Sequence, residues 1–480
     1  MSPLWTSSEI AAATGGVASG DFEAKGVAFD SREIGPGDLF VAMKGESTDG
    51  HRFVDQAFGS GASGALVSTE IGHPHVRVED TARALDALGI ASRARSGARV
   101  IGVTGSVGKT STKEALFAAL DRAQPGYCHR SVKSYNNHTG VPLSLARMPR
   151  ETRFGVFEMG MNHAGELAVL TRLVRPHVAL VTAIAPAHRE FFASEAEIAD
   201  AKGEIFQGLE PGGTAILPYD SPHRDRLIAA ARPHASKILT FGLGEGADIR
   251  ATYVIRGAKG GTMMTATLPS AQLSLTIGQP GEHWVSNALA VLAAVEAAGG
   301  DLAVAALALA DLGGIKGRGE RRIIAVAGGE ALLIDESYNA NPASMAATLA
   351  VLGEEKVTGR RIAVLGAMRE LGGDTADFHS ALAEPVEAAK VDFAILVGAE
   401  MEALSKALGG QVKLAHVPDT ASAIDIAREA IGPGDAVLVK GSNSIGLAAL
   451  VEALSSGSSG SALSGEKLQS AAEGLGTGKD

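Results

Sequence analysis

Cysteine is nearly absent: Cys128 is the only one in 480 residues. No internal disulfide can form, which excludes a disulfide-stapled secreted fold. Aromatic residues make up only 4% of the chain, too few for the stacking platforms of single-stranded nucleic-acid binders. There is no excess of positive charge either. Lysine and arginine number 43 against 54 acidic residues, a net charge of −11. A polyanion such as DNA is therefore not an expected partner, whereas a small phosphorylated ligand held by local dipoles is compatible with that charge. Uncharged apolar runs of spanning length, about 18 residues, are lacking too. The Ala-rich stretch 287–298 carries Glu296 and stops at Gly299-Gly300, so it reads as a core helix. The opening Met-Ser-Pro-Leu-Trp-Thr-Ser-Ser-Glu has no basic-then-apolar leader. The expectation is a cytoplasmic protein without membrane insertion, and nothing asks for an obligate oligomer, so a monomer is expected.

What the chain has in quantity is glycine, 60 residues, within a composition that is 45% apolar. One residue in eight is well above the usual share of about 7% and fits many tight strand-to-helix turns. At this length one core does not suffice, and two to four domains are expected. The densest signal is Arg99-Val-Ile-Gly-Val-Thr-Gly-Ser-Val-Gly-Lys-Thr-Ser-Thr112. An apolar run at 100–103 reads as a buried strand, and a helical pattern covers 109–120. The glycine turn between them creates an anion site, because the first helical N–H groups and the helix dipole both face outward. Gly105 and Gly108 let the backbone approach phosphates. Lys109 would reach the β/γ-phosphates and the Thr110 hydroxyl would meet Mg²⁺. The strict phosphate-loop spacing wants glycine where Val103 stands.

Around this stretch the chain divides by pattern. Residues 1–97 read as a small α/β unit, with strands at 27–32, 37–44 and 64–68 and helices at 52–58 and 83–93. Asp30-Ser31-Arg32, at a strand end, suits either a ligand contact or an Asx turn with a surface arginine. Residues 98–317 alternate strands (100–103, 155–158, 179–184, 215–217, 238–241) with helices, which implies a parallel sheet covered on both faces. Ligands bind beyond the carboxyl ends of such strands. Stretches 249–256, 263–268 and 273–277 alternate differently and read as an antiparallel insert before a helix at 282–298. Residues 318–454 hold six strand patterns (322–326, 332–335, 361–365, 393–397, 412–416, 436–439) and read as a second, Rossmann-like α/β domain. The Ser/Gly/Ala-rich tail 455–480 is expected to be disordered.

Three polar residues in the central unit carry candidate chemistry. Glu158 closes a strand, where a carboxylate beside a phosphate loop suits Mg²⁺ and otherwise caps a helix. His188 follows Ala185-Pro-Ala in a loop. Lys202 sits in a helical pattern at 195–206. Ile198, Ala199, Ile205 and Phe206 lie three and four residues away, while Glu197, Asp200 and Glu204 occupy the other face. A lysine on an apolar face is costly unless it pairs with a carboxylate, snorkels, or becomes a carbamate.

Taken together, these residues resemble the Mur ligase family, most closely its MurF type, along almost the whole chain to about residue 453. The resemblance rests on Thr104-Gly-Ser-Val-Gly-Lys-Thr-Ser111, Asn136-Asn137-His-Thr-Gly-Val-Pro-Leu, Glu158-Met-Gly-Met-Asn and Ala185-Pro-Ala-His188. Ala201-Lys-Gly-Glu-Ile-Phe206, Gly281-Glu-His-Trp-Val-Ser-Asn287 and Asp335-Glu-Ser-Tyr-Asn-Ala-Asn-Pro342 add to it, as do Val364-Leu-Gly-Ala-Met-Arg-Glu-Leu-Gly372 and Lys440-Gly-Ser442. It implies three domains. The first would bind the UDP part of the substrate through Ser31 and Arg32. The second would hold ATP and Mg²⁺. The third would bind an incoming dipeptide and close the site. ATP would meet Gly105, Ser106, Val107, Gly108, Lys109, Thr110, Ser111, Asn287, Arg318, Asp335 and Asn339. Asn136 and Asn137 would face the substrate. Thr110 and Glu158 would hold one metal ion, His188 and a carbamylated Lys202 a second. Lys109, Lys202 and His188 would be catalytic.

The activity the resemblance implies is ATP-dependent joining of D-alanyl-D-alanine to UDP-N-acetylmuramoyl-tripeptide through an acyl phosphate. That step serves peptidoglycan synthesis, and so cell shape and division. Three positions depart from the family pattern: Ala183 where asparagine is frequent, Ala367 where an acid is frequent, and Asn443 where arginine is common. The rival readings are a sister amide ligase, such as the one adding the tripeptide's third residue or a folylpolyglutamate synthetase, and a P-loop NTPase switch.

Overall fold

In the computed structural model of the chain, residues 3–45, 48–186, 190–257 and 260–456 are described. Strand–helix alternation produces three mixed α/β sheets, plus a short antiparallel pair between Trp5–Thr6 and Glu23–Ala24. The first sheet runs Val17–Ala18, His75–Arg77, Gly64–Val67, Asp38–Val41, Gly26–Ala28. All its pairings are parallel except that of Val17–Ala18. The strand expected at 27–32 stops at Ala28, because Asp30 accepts from the Arg32 amide and starts a 3₁₀ turn, Ser31–Glu33.

The central sheet has nine strands. From one edge they run Gln272–Ile277, Thr262–Thr267, Ile249–Arg256, Lys237–Gly242, Thr214–Pro218, Val178–Val181, Arg99–Thr104, Phe154–Glu158, Cys128–Arg130. The three antiparallel-patterned strands are not a separate insert. Ile249–Arg256 pairs in parallel with Lys237–Gly242, so the sheet simply continues through them. Alternate residues feed two cores, as a sheet covered on both faces requires. Ile101, Val103, Val156 and Leu180 pack with Leu116 and Leu289 from helices Lys109–Ala123 and Glu282–Ala298. Val100, Phe157 and Val181 pack with Leu167 and Ile198 from helices Glu166–Val174 and Glu195–Gly203. The helix expected at 195–206 therefore ends at Gly203 and tightens into a 3₁₀ turn, Glu204–Gly208.

The third sheet has six strands in the order Glu320–Val326, Gly329–Glu336, Ala436–Lys440, Arg361–Gly366, Phe393–Val397, Lys413–Val417. Only its first pair is antiparallel. Side chains tie the sheets together. Trp5 Nε1 donates to the Ala146 carbonyl at 2.9 Å, beneath the Arg95 guanidinium 3.6 Å from its ring centre. Buried Glu355 accepts from Arg256 (3.0 Å) on the central sheet and Arg321 (2.7 Å) on the third. Of the tail expected to be disordered, Ser455 ends the helix Ala448–Ser455, and residues 457–480 lie outside the described residues.

Candidate functional site: a phosphate loop facing the third sheet

Strand Arg99–Thr104 delivers the loop at Gly105 (φ +149°), and helix Lys109–Ala123 leaves it after Gly108 (φ +85°). Both positions need glycine. A Cβ at 105 would lie 2.0 Å from Thr182 Oγ1, and one at 108 would lie 2.7 Å from Asn287 Oδ1. The loop is braced by its neighbours. Ser106 N–H donates to the Ala183 carbonyl (2.7 Å), and Lys109 Nζ donates to the Gly105 carbonyl (2.7 Å). The Ser106 amide is thus committed to protein rather than offered to a ligand, and Ala183 takes part through its backbone. Burial holds the Lys109 ammonium below the usual lysine range; Glu158 opposes that shift and Arg318 adds to it.

Glu158 is 1% exposed at the end of its strand, one strand over from the loop. Asn136 Nδ2 donates to its Oε1 (2.8 Å), and its backbone N–H donates to Ser131 Oγ (3.0 Å). Its Oε2 is buried with no hydrogen-bond partner and lies 3.8 Å from Lys113 Nζ. Lys113, unforeseen in the sequence, is fully buried on the loop helix. It donates to the Lys133 carbonyl (2.8 Å) and sits 3.0 Å from Glu114. Its signal was weaker than that of Lys202: of the residues three and four away only Leu116 and Phe117 are apolar, while Lys109 and Thr110 are polar.

An unsatisfied carboxylate oxygen and a threonine hydroxyl on the loop helix are hard donors. Both fit Mg²⁺, which keeps several waters and takes few protein ligands. Among the described residues no group of three or more His, Cys, Asp or Glu forms a metal cage. His188, expected on a second ion, lies outside the described residues. Asn137 is exposed, and its Oδ1 accepts from the Thr139 and Gly140 amides at the start of helix Gly140–Ala146.

Lys202 is fully buried, and its Nζ has no hydrogen-bond partner among the described residues. Burial pushes its pKa well below the lysine range. The charge of Lys109 acts in the same direction, while Glu166 and Glu204 act against it. Of the acids expected on its far face, Asp200 pairs with Arg226 (2.8 Å), and Glu204 accepts from the Gly165 amide (2.8 Å).

Across from the loop stands a wall from the third sheet. The cleft between them, with a cavity volume of about 290 Å³, is lined by the loop from Ser106 to Ser111 and by His283, Asn287, Arg318, Glu336, Asn339 and Lys440 among others. Arg318 lies over the Tyr338 ring, 4.4 Å from its centre. Lys440 donates to the Asn339 carbonyl (2.9 Å) and sits 3.6 Å from Glu336. Burial raises Glu336 and lowers Lys440, each resisted by the other's charge. Burial holds His283 down at about 4. Asp335 does not line this cleft. It is 1% exposed, and its carboxylate accepts from Gly317 N–H (2.9 Å), Ser337 N–H (3.0 Å) and Ser337 Oγ–H (2.6 Å). The direct ATP contact expected of it is corrected to a supporting one: it fixes the turn that carries Arg318.

In the first sheet, Arg32 is largely exposed and forks onto Asp30 (2.9 and 2.6 Å), whose pKa falls to about 2 chiefly through that pairing. Buried Ser31 donates to Gln56 Oε1 (3.2 Å). Both residues stand at the carboxyl end of Gly26–Ala28. Ala367 is buried, and Asn443 opens an exposed turn after Ser442, whose Oγ accepts from Arg369 N–H at 2.9 Å.

Three family models match the chain in succession. They are described as the Mur ligase family catalytic domain (23–93), the Mur ligase middle domain (103–295) and the Mur ligase glutamate ligase domain (317–443). A UDP-N-acetylmuramoyl-tripeptide–D-alanyl-D-alanine ligase of Escherichia coli is 38% identical over 90% of this chain and 94% of its own length. This chain belongs to the Mur ligase family. Its fold matches the crystal structure of MurF from Acinetobacter baumannii with a TM-score of 0.81 at 32% identity, over 94% of this chain and 99% of that one. It also matches a MurF ligase from Thermotoga maritima in complex with ADP, with a TM-score of 0.75 at 26% identity, over 90% of this chain and 97% of that one. The α/β class with Mur-type N-terminal, middle and C-terminal portions is therefore established for this Mur ligase. The carbamate expected at Lys202 finds no support in these comparisons. No helix among the described residues is long and apolar enough to cross a membrane.

Proposed function

We propose that the chain is an ATP-dependent ligase that joins D-alanyl-D-alanine to UDP-N-acetylmuramoyl-tripeptide, the step that yields the pentapeptide for peptidoglycan. One observation carries the reading. A chain similar over nearly its full length to ligases bearing that name has a glycine phosphate loop facing Arg318 and Lys440 across one cleft. ATP is required because a carboxylate is a poor electrophile. The tripeptide's terminal carboxylate oxygen forms a bond to the γ-phosphorus, the bond to ADP breaks, and an acyl phosphate results. The dipeptide's neutral amine then attacks the carbonyl carbon, the C–O bond to phosphate breaks, and phosphate leaves with the electron pair and takes up the proton that the nitrogen gives up. Lys109, released from the Gly105 carbonyl, and the N–H groups at the helix start would meet the charge developing on the phosphoryl oxygens. Mg²⁺, when bound by Thr110 and Glu158, would neutralise part of that charge. The opposed wall would keep water from the acyl phosphate.

The same reading assigns residues 1–97 to the UDP portion with Ser31 and Arg32, 98–317 to ATP, and 318–454 to the dipeptide. Asn136 acts by orienting Glu158, and Asn287 and Asn339 line the nucleotide's cleft. It places the enzyme in the cytoplasm, where the nucleotide substrates are made, and treats it as a monomer. His188 is kept as a candidate catalytic and metal-binding residue. Burial and the charge of Lys109 push Lys202 toward its neutral form. That neutral form is also the one that reacts with CO₂; carbon-13 NMR with labelled bicarbonate tests for such an adduct, on which the reaction above does not depend. Phosphate release from ATP and Mg²⁺ should require both the tripeptide nucleotide and D-alanyl-D-alanine. Release that responds instead to a single amino acid would move the chain to a sister ligase, and release needing neither substrate would overturn the ligase reading.

A further inference from the structure

Thr182 stands one residue beyond strand Val178–Val181, which neighbours Arg99–Thr104 in the central sheet. It is 3% exposed. Its amide donates to the Thr104 carbonyl at 2.8 Å, which locks the residue against the strand feeding the loop. Its hydroxyl lies 2.5 Å from the Val107 carbonyl and 3.2 Å from that of Thr104. A hydroxyl has one proton to give, and the nearer carbonyl takes it.

The consequence follows from peptide geometry. In a planar trans peptide the C=O of one residue and the N–H of the next point in opposite directions. Drawing the Val107 carbonyl toward Thr182 fixes the plane of the Val107–Gly108 peptide and sends the Gly108 N–H away from Thr182; Thr182, Val107 and Gly108 all line the cleft. A peptide unit ending in glycine has little steric reason of its own to hold that orientation. The loop has few amides to offer, since Ser106 N–H is already bound to the Ala183 carbonyl. The close packing of Gly105 against the Thr182 hydroxyl adds a second contact that fixes the loop's entry.

We propose that Thr182 is a positioning residue for the nucleotide: its hydroxyl sets the Val107–Gly108 peptide so that the loop presents an N–H to the ATP phosphates. The inference rests on the ATP reading above. It is tested by calorimetric titration of the full-length protein with ADP, and with adenosine as a ligand that shares the base and ribose but lacks phosphate. Thr182→Ala and Thr182→Val should each weaken ADP about tenfold, the effect of losing one hydrogen bond to an oriented group. Adenosine affinity should stay within about twofold, and Thr182→Ser should restore ADP binding to near the parent value. A merely structural role would weaken both ligands together. That result, or unchanged ADP affinity in the Ala and Val variants, would overturn the proposal. If the parent protein does not bind ADP at all, the ATP reading falls and takes this one with it.

Discussion

Lys113 and Lys202 are both fully buried, yet the regions around them differ. Lys113, on the loop helix, has the Lys133 carbonyl at 2.8 Å, Glu114 at 3.0 Å and Glu158 at 3.8 Å. Lys202, on the opposite face of the sheet, has no hydrogen-bond partner among the described residues, and burial drives it toward the neutral amine. Desolvating a charge is repaid only when partners are in place. The first lysine therefore belongs to the architecture that holds Glu158. The second is a retained cost, which a protein keeps where the group does chemistry.

The comparison can be broken in order of effect. Replacing Lys202 by methionine should lower ligation about 10²-fold if its amine moves a proton beside the phosphate loop, the scale of a positioned acid–base group. The same change should raise stability by about 1–2 kcal/mol, because a buried amine with no hydrogen-bond partner among the described residues gives way to an apolar chain of similar length. Thermal unfolding and turnover measured on one preparation decide this, and a fall in stability would show that Lys202 has structural partners after all. Lys113→Met should do the reverse to the fold. Stability should drop by about 3–5 kcal/mol in denaturant unfolding, since the Glu158 carboxylate and the Lys133 carbonyl lose their partner.

His129 offers a third, intermediate environment: half-buried, with one bond from its ring to the Ser144 carbonyl at 2.8 Å, and held at about 4 chiefly by desolvation. Between its unfolded value of about 6.5 and that value the unfolded chain takes up a proton the folded one refuses, so stability is lost as pH falls through this window. Compared with His129→Gln, the parent should lose up to about 3 kcal/mol more on going from pH 6.5 to 4. Equal losses would place the titration elsewhere. At the exposed extreme, Arg32→Ala should leave the thermal unfolding of the protein unchanged, because its fork onto Asp30 faces solvent. The KM for the UDP substrate should nevertheless rise about tenfold if the ligand takes over that guanidinium, and an unchanged KM would leave Arg32 a surface residue.

Local signals in the chain were strong and long-range ones were not. Helix Glu282–Ala298 could be read with its observed ends, since Gly281 and Gly299 (φ +77°) bracket it. The phosphate loop was legible because strand, glycines and helix are contiguous. Helix Ser7–Thr14 went unread although Thr6 and Glu9 form a capping box. Strand Cys128–Arg130 is three residues long and too short to show a period. That strands 249–277 extend the parallel sheet depends on pairing with Lys237–Gly242, which no local pattern encodes. The site divides the same way. Lys202 betrayed its burial through helical spacing, whereas Thr182 beside Val107, and Glu336 and Lys440 opposite the loop, are brought together only by the fold. Asp335 shows a further limit: a motif locates an acid without saying whether it faces the ligand or, as here, holds Gly317 and Ser337 in place.

The most direct test of the account follows one oxygen atom. The tripeptide nucleotide, labelled with oxygen-18 in its terminal carboxylate, is incubated with ATP, Mg²⁺ and D-alanyl-D-alanine, and the released phosphate and the product are weighed by mass spectrometry. Attack of the carboxylate on the γ-phosphorus carries one labelled oxygen into phosphate, and the pentapeptide product retains the other. Phosphate free of label alongside pentapeptide would contradict the acyl-phosphate route, and phosphate without any pentapeptide would contradict the ligase assignment itself.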